Sequence, residues 1–136
     1  MSDGARTILV VDDEAPLRRV LERSLTRQGL RVIGAGSAET AYELVASEQP
    51  DALLLDIHLP TMSGLALYLA IVHRWPVLEG RIAIMTGDAE AEEVRTWLGR
   101  HQCVVIRKPF NLHQVTDWLT GVFRFGEERT RGGAEA

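Results

Sequence analysis

The chain has 136 residues, enough for one domain whose core buries about 70% of the unfolded surface. Hydrophobic residues make up 46% and charged residues 25%, with a formal net charge of −4. This composition favours neither a coiled coil nor a disordered chain, and the acidic balance argues against a general nucleic-acid-binding surface. The single cysteine, Cys103, leaves no internal disulfide and no cysteine-rich zinc site. No apolar run approaches the roughly 18 residues that suggest a spanning helix. The apolar stretch Ile8–Val11 meets Asp12, Asp13 and Glu14 at once, unlike a signal peptide, so a reducing cytoplasm is the expected location.

In chain order, Thr7–Val11 is a short apolar strand ending in acids. From Pro16 the apolar positions Leu17, Val20, Leu21 and Leu25 recur at helical spacing, and Gly29 stops the helix. Leu30–Ala35 is a weaker second strand. Ser37 caps a helix carrying Ala38, Ala41, Leu44 and Val45, which Pro50 breaks. Ala52–Leu55 is a third strand, followed by Asp56, and Leu65–Val72 reads as a buried helix. Arg81–Met85 is a fourth strand ending at Thr86, followed by a helix with Ala91, Val94 and Leu98. Cys103–Ile106 is a fifth strand, ending at Arg107-Lys108-Pro109. Asn111 caps a last helix with Leu112, Val115, Leu119 and Val122 on one face. Residues 126–136, without an apolar anchor, read as a flexible tail after a domain at 1–125.

Five strand–helix units with continuous apolar strands predict an α/β fold, a parallel sheet covered on both faces. Ligands of such sheets gather at the carboxyl ends of the strands. There stand Asp12-Asp13-Glu14, Asp56, Thr86 and Lys108. Lys108 is the only lysine beside 14 arginines among the 15 basic residues. Carboxylates brought together repel one another unless a cation joins them, and an all-oxygen donor set suits Mg²⁺. A metal, a carboxylate nucleophile, a hydroxyl and an ammonium are the parts of a phosphoryl-transfer site.

These residues resemble the receiver domain of bacterial two-component response regulators, over roughly residues 6–123. The matching pieces are Ile8-Leu9-Val10-Val11-Asp12-Asp13-Glu14, Leu53-Leu54-Leu55-Asp56-Ile57-His58-Leu59-Pro60 with Met62 and Gly64, Ile84-Met85-Thr86-Gly87, and Lys108-Pro109-Phe110. The resemblance implies a flavodoxin-like (βα)5 three-layer sandwich with strand order 2-1-3-4-5. It implies that Asp56 accepts a phosphoryl group from a sensor histidine kinase or histidine phosphotransfer protein. Asp13, Asp56 and the backbone carbonyl of His58 would bind Mg²⁺ directly, and Asp12 through a metal-bound water. Thr86 and Lys108 would contact the phosphoryl group, with Lys108 paired to Asp56 beforehand. The Lys108–Pro109 peptide is expected to be cis. Drawing Thr86 inward would shift the surface of the fourth helix, fifth strand and fifth helix, read by a downstream protein. Such a protein is no enzyme beyond its own phosphorylation and dephosphorylation.

Two departures stand out. Val105 occupies the position where the family usually carries an aromatic switch residue, and Gly99-Arg100-His101-Gln102 replaces the usual turn before the fifth strand. Trp118 is expected on the output surface, either exposed there or half-buried at the edge of the helical stripe, while Trp97 is expected to pack the fourth helix and Trp75 to plug a loop. His58 and Asp88 are expected to tune hydrolysis of the acyl phosphate, with no ring ligation by His58. Among alternatives, a haloacid-dehalogenase-type phosphatase needs Asp-x-Asp after the first strand. A flavin-binding module needs a phosphate loop there. A phosphorylation-independent adaptor would lack Asp56 or Lys108.

Overall fold

The structure is a computed structural model describing the backbone at 5–87 and 91–135 and side chains up to residue 123. In chain order it runs β1 (Thr7–Val11), α1 (Ala15–Arg27), β2 (Arg31–Ala35), α2 (Ala38–Glu48), β3 (Ala52–Asp56), α3 (Gly64–Arg74), a 3₁₀ turn (Pro76–Leu78), β4 (Ile82–Thr86), α4 (Glu92–Arg100), β5 (Val104–Arg107) and α5 (Leu112–Glu135). The strands form one parallel sheet in the order β2-β1-β3-β4-β5. The chain thus has the flavodoxin-like arrangement that the resemblance implies.

The sheet divides the core by the two-residue period of a strand. Leu9, Val11, Leu53, Leu55, Ile82 and Ile84 face one way, packing on Ala41 and Val45 of α2, Leu67 and Ile71 of α3, and Val94 of α4. Ile8, Val10, Leu54, Ala83, Met85 and Ile106 face the other way, onto Leu21 and Leu25 of α1 and Val115 and Leu119 of α5. Each central strand is therefore apolar throughout its body, because both of its faces are covered.

Local signals set the helix ends. The Ser37 hydroxyl accepts from the Thr40 N–H at 3.2 Å, and that of Ser63 accepts from the Leu65 N–H at 3.1 Å. Asn111 and Gln114 cap α5 reciprocally. After α1, Gly29 adopts φ +88°, which turns the chain into β2.

The strands end slightly differently from the apolar runs. Asp56 pairs with Met85, and Thr86 with Arg107, so both polar residues belong to the ladder as the last residues of β3 and β4. Backbone pairing does not stop where side-chain hydrophobicity stops. Across the expected tail at 126–136 the backbone continues α5 as far as Glu135, while the side chains beyond residue 123 lie outside the described residues.

Candidate phosphoryl-transfer site

Parallel pairing brings the carboxyl ends of β1, β3, β4 and β5 to one rim. Asp12 follows β1 directly, and its N–H donates to Ala35 O at 3.0 Å at the end of β2. Asp56 closes β3, and the Ile57 N–H reaches Met85 O at 3.2 Å. Lys108 follows β5, with its N–H on Thr86 O at 2.8 Å. Thus the topology itself assembles the four anchors.

Asp12, Asp13 and Asp56 each offer a carboxylate oxygen within 4.8 Å of the others. Asp12 and Asp56 are buried and Asp13 is exposed, so the cluster opens to solvent on one side. Among the described residues this is the one acidic group close enough to share a metal ion. Lys108 Nζ lies 2.9 Å from Asp12 Oδ2, 3.3 Å from Asp56 Oδ2 and 3.6 Å from Glu14 Oε1. The expected pairing with Asp56 is present, but Asp12 takes the closer contact. Glu14, to which the resemblance gives no role, adds a third carboxylate to the ammonium.

Asp12 is held at four points. Its N–H donates to Ala35 O, its Oδ1 accepts from the Glu14 N–H at 2.8 Å, its Oδ2 accepts from Lys108, and its backbone carbonyl accepts from Arg18 Nη1 at 2.5 Å. Asp56 Oδ1 accepts from the His58 N–H at 3.2 Å. Burial pushes the Asp56 carboxyl above its usual range, and the charge of Asp12 adds to this, against Lys108 and the His58 N–H. Burial pulls the Lys108 ammonium down, but the Asp12 hydrogen bond and both neighbouring carboxylates outweigh it and leave it raised.

The loop after Asp56 is bound closely to it. The Gly64 N–H donates to Ile57 O at 2.7 Å, and a Cβ at Gly64 would lie 2.0 Å from the Asp56 carbonyl oxygen. Only glycine lets α3 start this near the end of β3. The motif contains Gly64, but the reason for it is visible only in three dimensions. Thr86 is fully buried at the rim. The Lys108–Pro109 peptide is cis. His58 is exposed, and Asp88 lies outside the described residues.

Val105 is half-buried on β5. Trp118 is not an exposed residue: it is half-buried and packs against the core cluster beneath α1 and α5. A position beside the apolar stripe of a helix still leaves a large ring long enough to fold onto the core. Trp97 packs against the opposite cluster, its ring 5.1 Å from Tyr68 and 4.4 Å from His101. The His101 contact follows the i,i+4 spacing from Trp97 at the end of α4. Trp75 packs beside Tyr42 at 5.0 Å.

Comparison with known proteins agrees with this geometry. Residues 8–120 match the model of the response regulator receiver domain. The DNA-binding transcriptional regulator NtrC of Escherichia coli strain K12 is 35% identical over 108 residues, covering 79% of this chain. The chain spans 23% of the length of that regulator. Among solved structures, a CheY-like receiver domain protein from Methanospirillum hungatei superposes with a TM-score of 0.84 at 23% identity, over 93% of this chain and 99% of that one. The response regulator TrrA from Thermotoga maritima, solved with Mg²⁺ and BeF, gives a TM-score of 0.75 at 25% identity, over 86% and 98% of the two chains. Phosphorylation on aspartate is typical of such domains. With the sheet order, the acidic rim and this match in accord, the chain belongs to the response regulator receiver domain family.

Proposed function

We propose that this chain is a switch in which Asp56 accepts a phosphoryl group from a phosphohistidine of a sensor histidine kinase or histidine phosphotransfer protein. The single observation that carries this reading is Lys108 Nζ held between Asp12 and Asp56, at 2.9 and 3.3 Å, above an open acidic cluster. In the transfer, a carboxylate oxygen of Asp56 bonds to phosphorus as the phosphorus–nitrogen bond breaks, and the imidazole leaves with the electron pair. Lys108, already at the rim, faces the negative charge of the phosphoryl oxygens. Thr86, at the end of β4, supplies a hydroxyl to one of them. The His58 N–H keeps Asp56 oriented.

The donor set fits Mg²⁺: oxygens alone, with two of the three carboxylates buried and one side open for water. We assign direct ligation to Asp13, Asp56 and the His58 carbonyl, and indirect ligation to Asp12. Mg²⁺ held there would supply neutralisation of charge on the transferring oxygens. TrrA, solved with Mg²⁺ and BeF, is a relative in fold for which such a complex exists.

Phosphorylation adds charge and strong acceptors at Asp56. In this reading Thr86 relays the change to the surface of α4, β5 and α5, where a downstream protein binds one of two states better. Val105 gives that relay a small residue in place of a swinging ring. The chain catalyses only its own phosphorylation and dephosphorylation, works in the cytoplasm, and carries its receiver domain at 1–125, with 126–135 continuing α5. Among the described residues no helix is long and apolar enough to cross a membrane.

Incubation with acetyl phosphate tests the reading. Intact-mass analysis is expected to show one added phosphoryl group with Mg²⁺ and none with excess chelator. Labelling that ignores the chelator would overturn it.

A further inference from the structure

We infer that Arg18 is a positioning residue for the metal site, acting through the backbone of Asp12; this deepens the function proposed above and rests on it. Arg18 stands on the first turns of α1, and Nη1 donates to the Asp12 carbonyl at 2.5 Å. To reach it, the side chain crosses the end of β2, where Gly34 and Gly36 flank Ala35. A Cβ at Gly34 would lie 3.0 Å from Arg18 Cδ and 1.9 Å from Glu22 Oε1. One at Gly36 would lie 3.3 Å from Arg18 Nη1. The two glycines therefore leave a notch that the arginine and its partner fill. Glu22 stands one helical turn on, its Oε1 3.9 Å from Arg18 Nε.

The contact has a specific consequence. Asp12 and Asp13 share a peptide whose oxygen is the acceptor of this bond. Fixing that oxygen fixes the plane of the peptide, and so the direction in which Asp13 leaves it. Asp13 is the exposed member of the cluster, with the least packing to hold it. A charge-assisted bond to the carbonyl is among the stronger restraints a side chain offers. Arg18 also brings a second cation to the acidic rim without occupying a carboxylate oxygen. Lys108 bonds Asp12 at its carboxylate, whereas Arg18 bonds it at the backbone. The carboxylate face thus stays available to a divalent ion.

The experiment is a calorimetric Mg²⁺ titration of the wild type, Arg18→Ala, Arg18→Lys and Asp13→Asn, with initial phosphorylation rates by acetyl phosphate across Mg²⁺ concentrations. Arg18→Ala is expected to weaken Mg²⁺ binding about tenfold, the scale seen when an outer-shell partner is removed. Its phosphorylation rate at saturating Mg²⁺ is expected to stay within about twofold of wild type, because the nucleophile and Lys108 are untouched. Arg18→Lys, which keeps a charged donor, is expected to recover most of the affinity. Wild-type affinity in Arg18→Ala, with Asp13→Asn weakened, overturns the role of Arg18 and leaves the proposed function standing. A rate that stays low in Arg18→Ala at saturating Mg²⁺ also overturns it, since general structural damage then explains the effect. Absence of Mg²⁺ binding in the wild type overturns both.

Discussion

Lys108 and Asp12 are joined by a 2.9 Å hydrogen bond across 96 residues of sequence, with Asp12 fully buried and Lys108 partly so. This pair ties β5 to β1 across the two strands between them. It also explains how two buried carboxylates coexist at the rim before any ligand arrives. Lys108→Ala would leave Asp12 and Asp56 facing each other with their shared cation gone. The expected loss is about 3 kcal/mol, the low end for breaking a buried pair, because solvent reaches the lysine side. Urea denaturation measures it. Adding Asp12→Asn to Lys108→Ala should recover part of the loss, whereas simple additivity would show that the two residues are uncoupled.

Asp12, Glu14 and Asp56 share one ammonium, and Asp13 adds a fourth carboxylate beside Asp12 and Asp56. Such a site is arranged for a cation and is costly without one. Asp13→Asn is therefore expected to raise Tm by a few degrees in the absence of Mg²⁺. Millimolar Mg²⁺ should stabilise the wild type by binding only the folded state, and should do much less for the variant. A thermal melt of both proteins with and without Mg²⁺ checks this. Equal Mg²⁺ shifts in the two would remove Asp13 from the site.

Gly64 is constrained by backbone, which cannot swing aside. The Cβ of an alanine would meet the Asp56 carbonyl oxygen at 2.0 Å and Ile57 Cα at 2.8 Å. Gly64→Ala is expected to cost more than about 2 kcal/mol and to slow phosphorylation, because relief requires moving the end of β3 or the start of α3. Gly99 gives the contrast, since a Cβ there would meet nothing within 4 Å. Gly99→Ala on α4 should be neutral or slightly stabilising. Similar losses at both sites would contradict the close approach.

Burial pushes the Cys103 thiol up to about 11, from 9.0 for an ordinary thiol. The folded chain thus keeps this proton at a pH where the unfolded chain releases it. The stabilising contribution is complete below pH 9 and fades as the pH rises through about 11. The gap in denaturation midpoint between wild type and Cys103→Ala should narrow from pH 8 to pH 10. Slow reaction of the native thiol with a disulfide reagent at pH 8 is the companion expectation. A rapid reaction, with a gap independent of pH, would contradict the burial.

Much of this architecture is legible in the residues. Continuous apolar runs such as Leu53-Leu54-Leu55 announce strands covered on both sides, and polar residues that end those runs mark the rim. A lone lysine among arginines is equally visible. What is hidden depends on tertiary approach. Arg18 is one of many arginines until β2 is laid beside β1, when Gly34 and Gly36 open its path. Gly64 looks like a turn residue until the Asp56 carbonyl appears next to it. Trp118 stands at the edge of its helical stripe, where periodicity does not decide between solvent and core, and packing against the core decides it. The aromatic contact of His101 with Trp97 follows the i,i+4 spacing of a helix, and becomes readable only once α4 is seen to run as far as its His101 cap.

The most direct test of the account is to locate the phosphoryl group. After acetyl phosphate and Mg²⁺, borohydride reduction converts a phosphorylated aspartate to homoserine, which peptide mass spectrometry reads by position. The account predicts homoserine at position 56, and no trapped residue in Asp56→Asn. Homoserine at position 12 or 13 instead, or undiminished phosphorylation of Asp56→Asn, would contradict it.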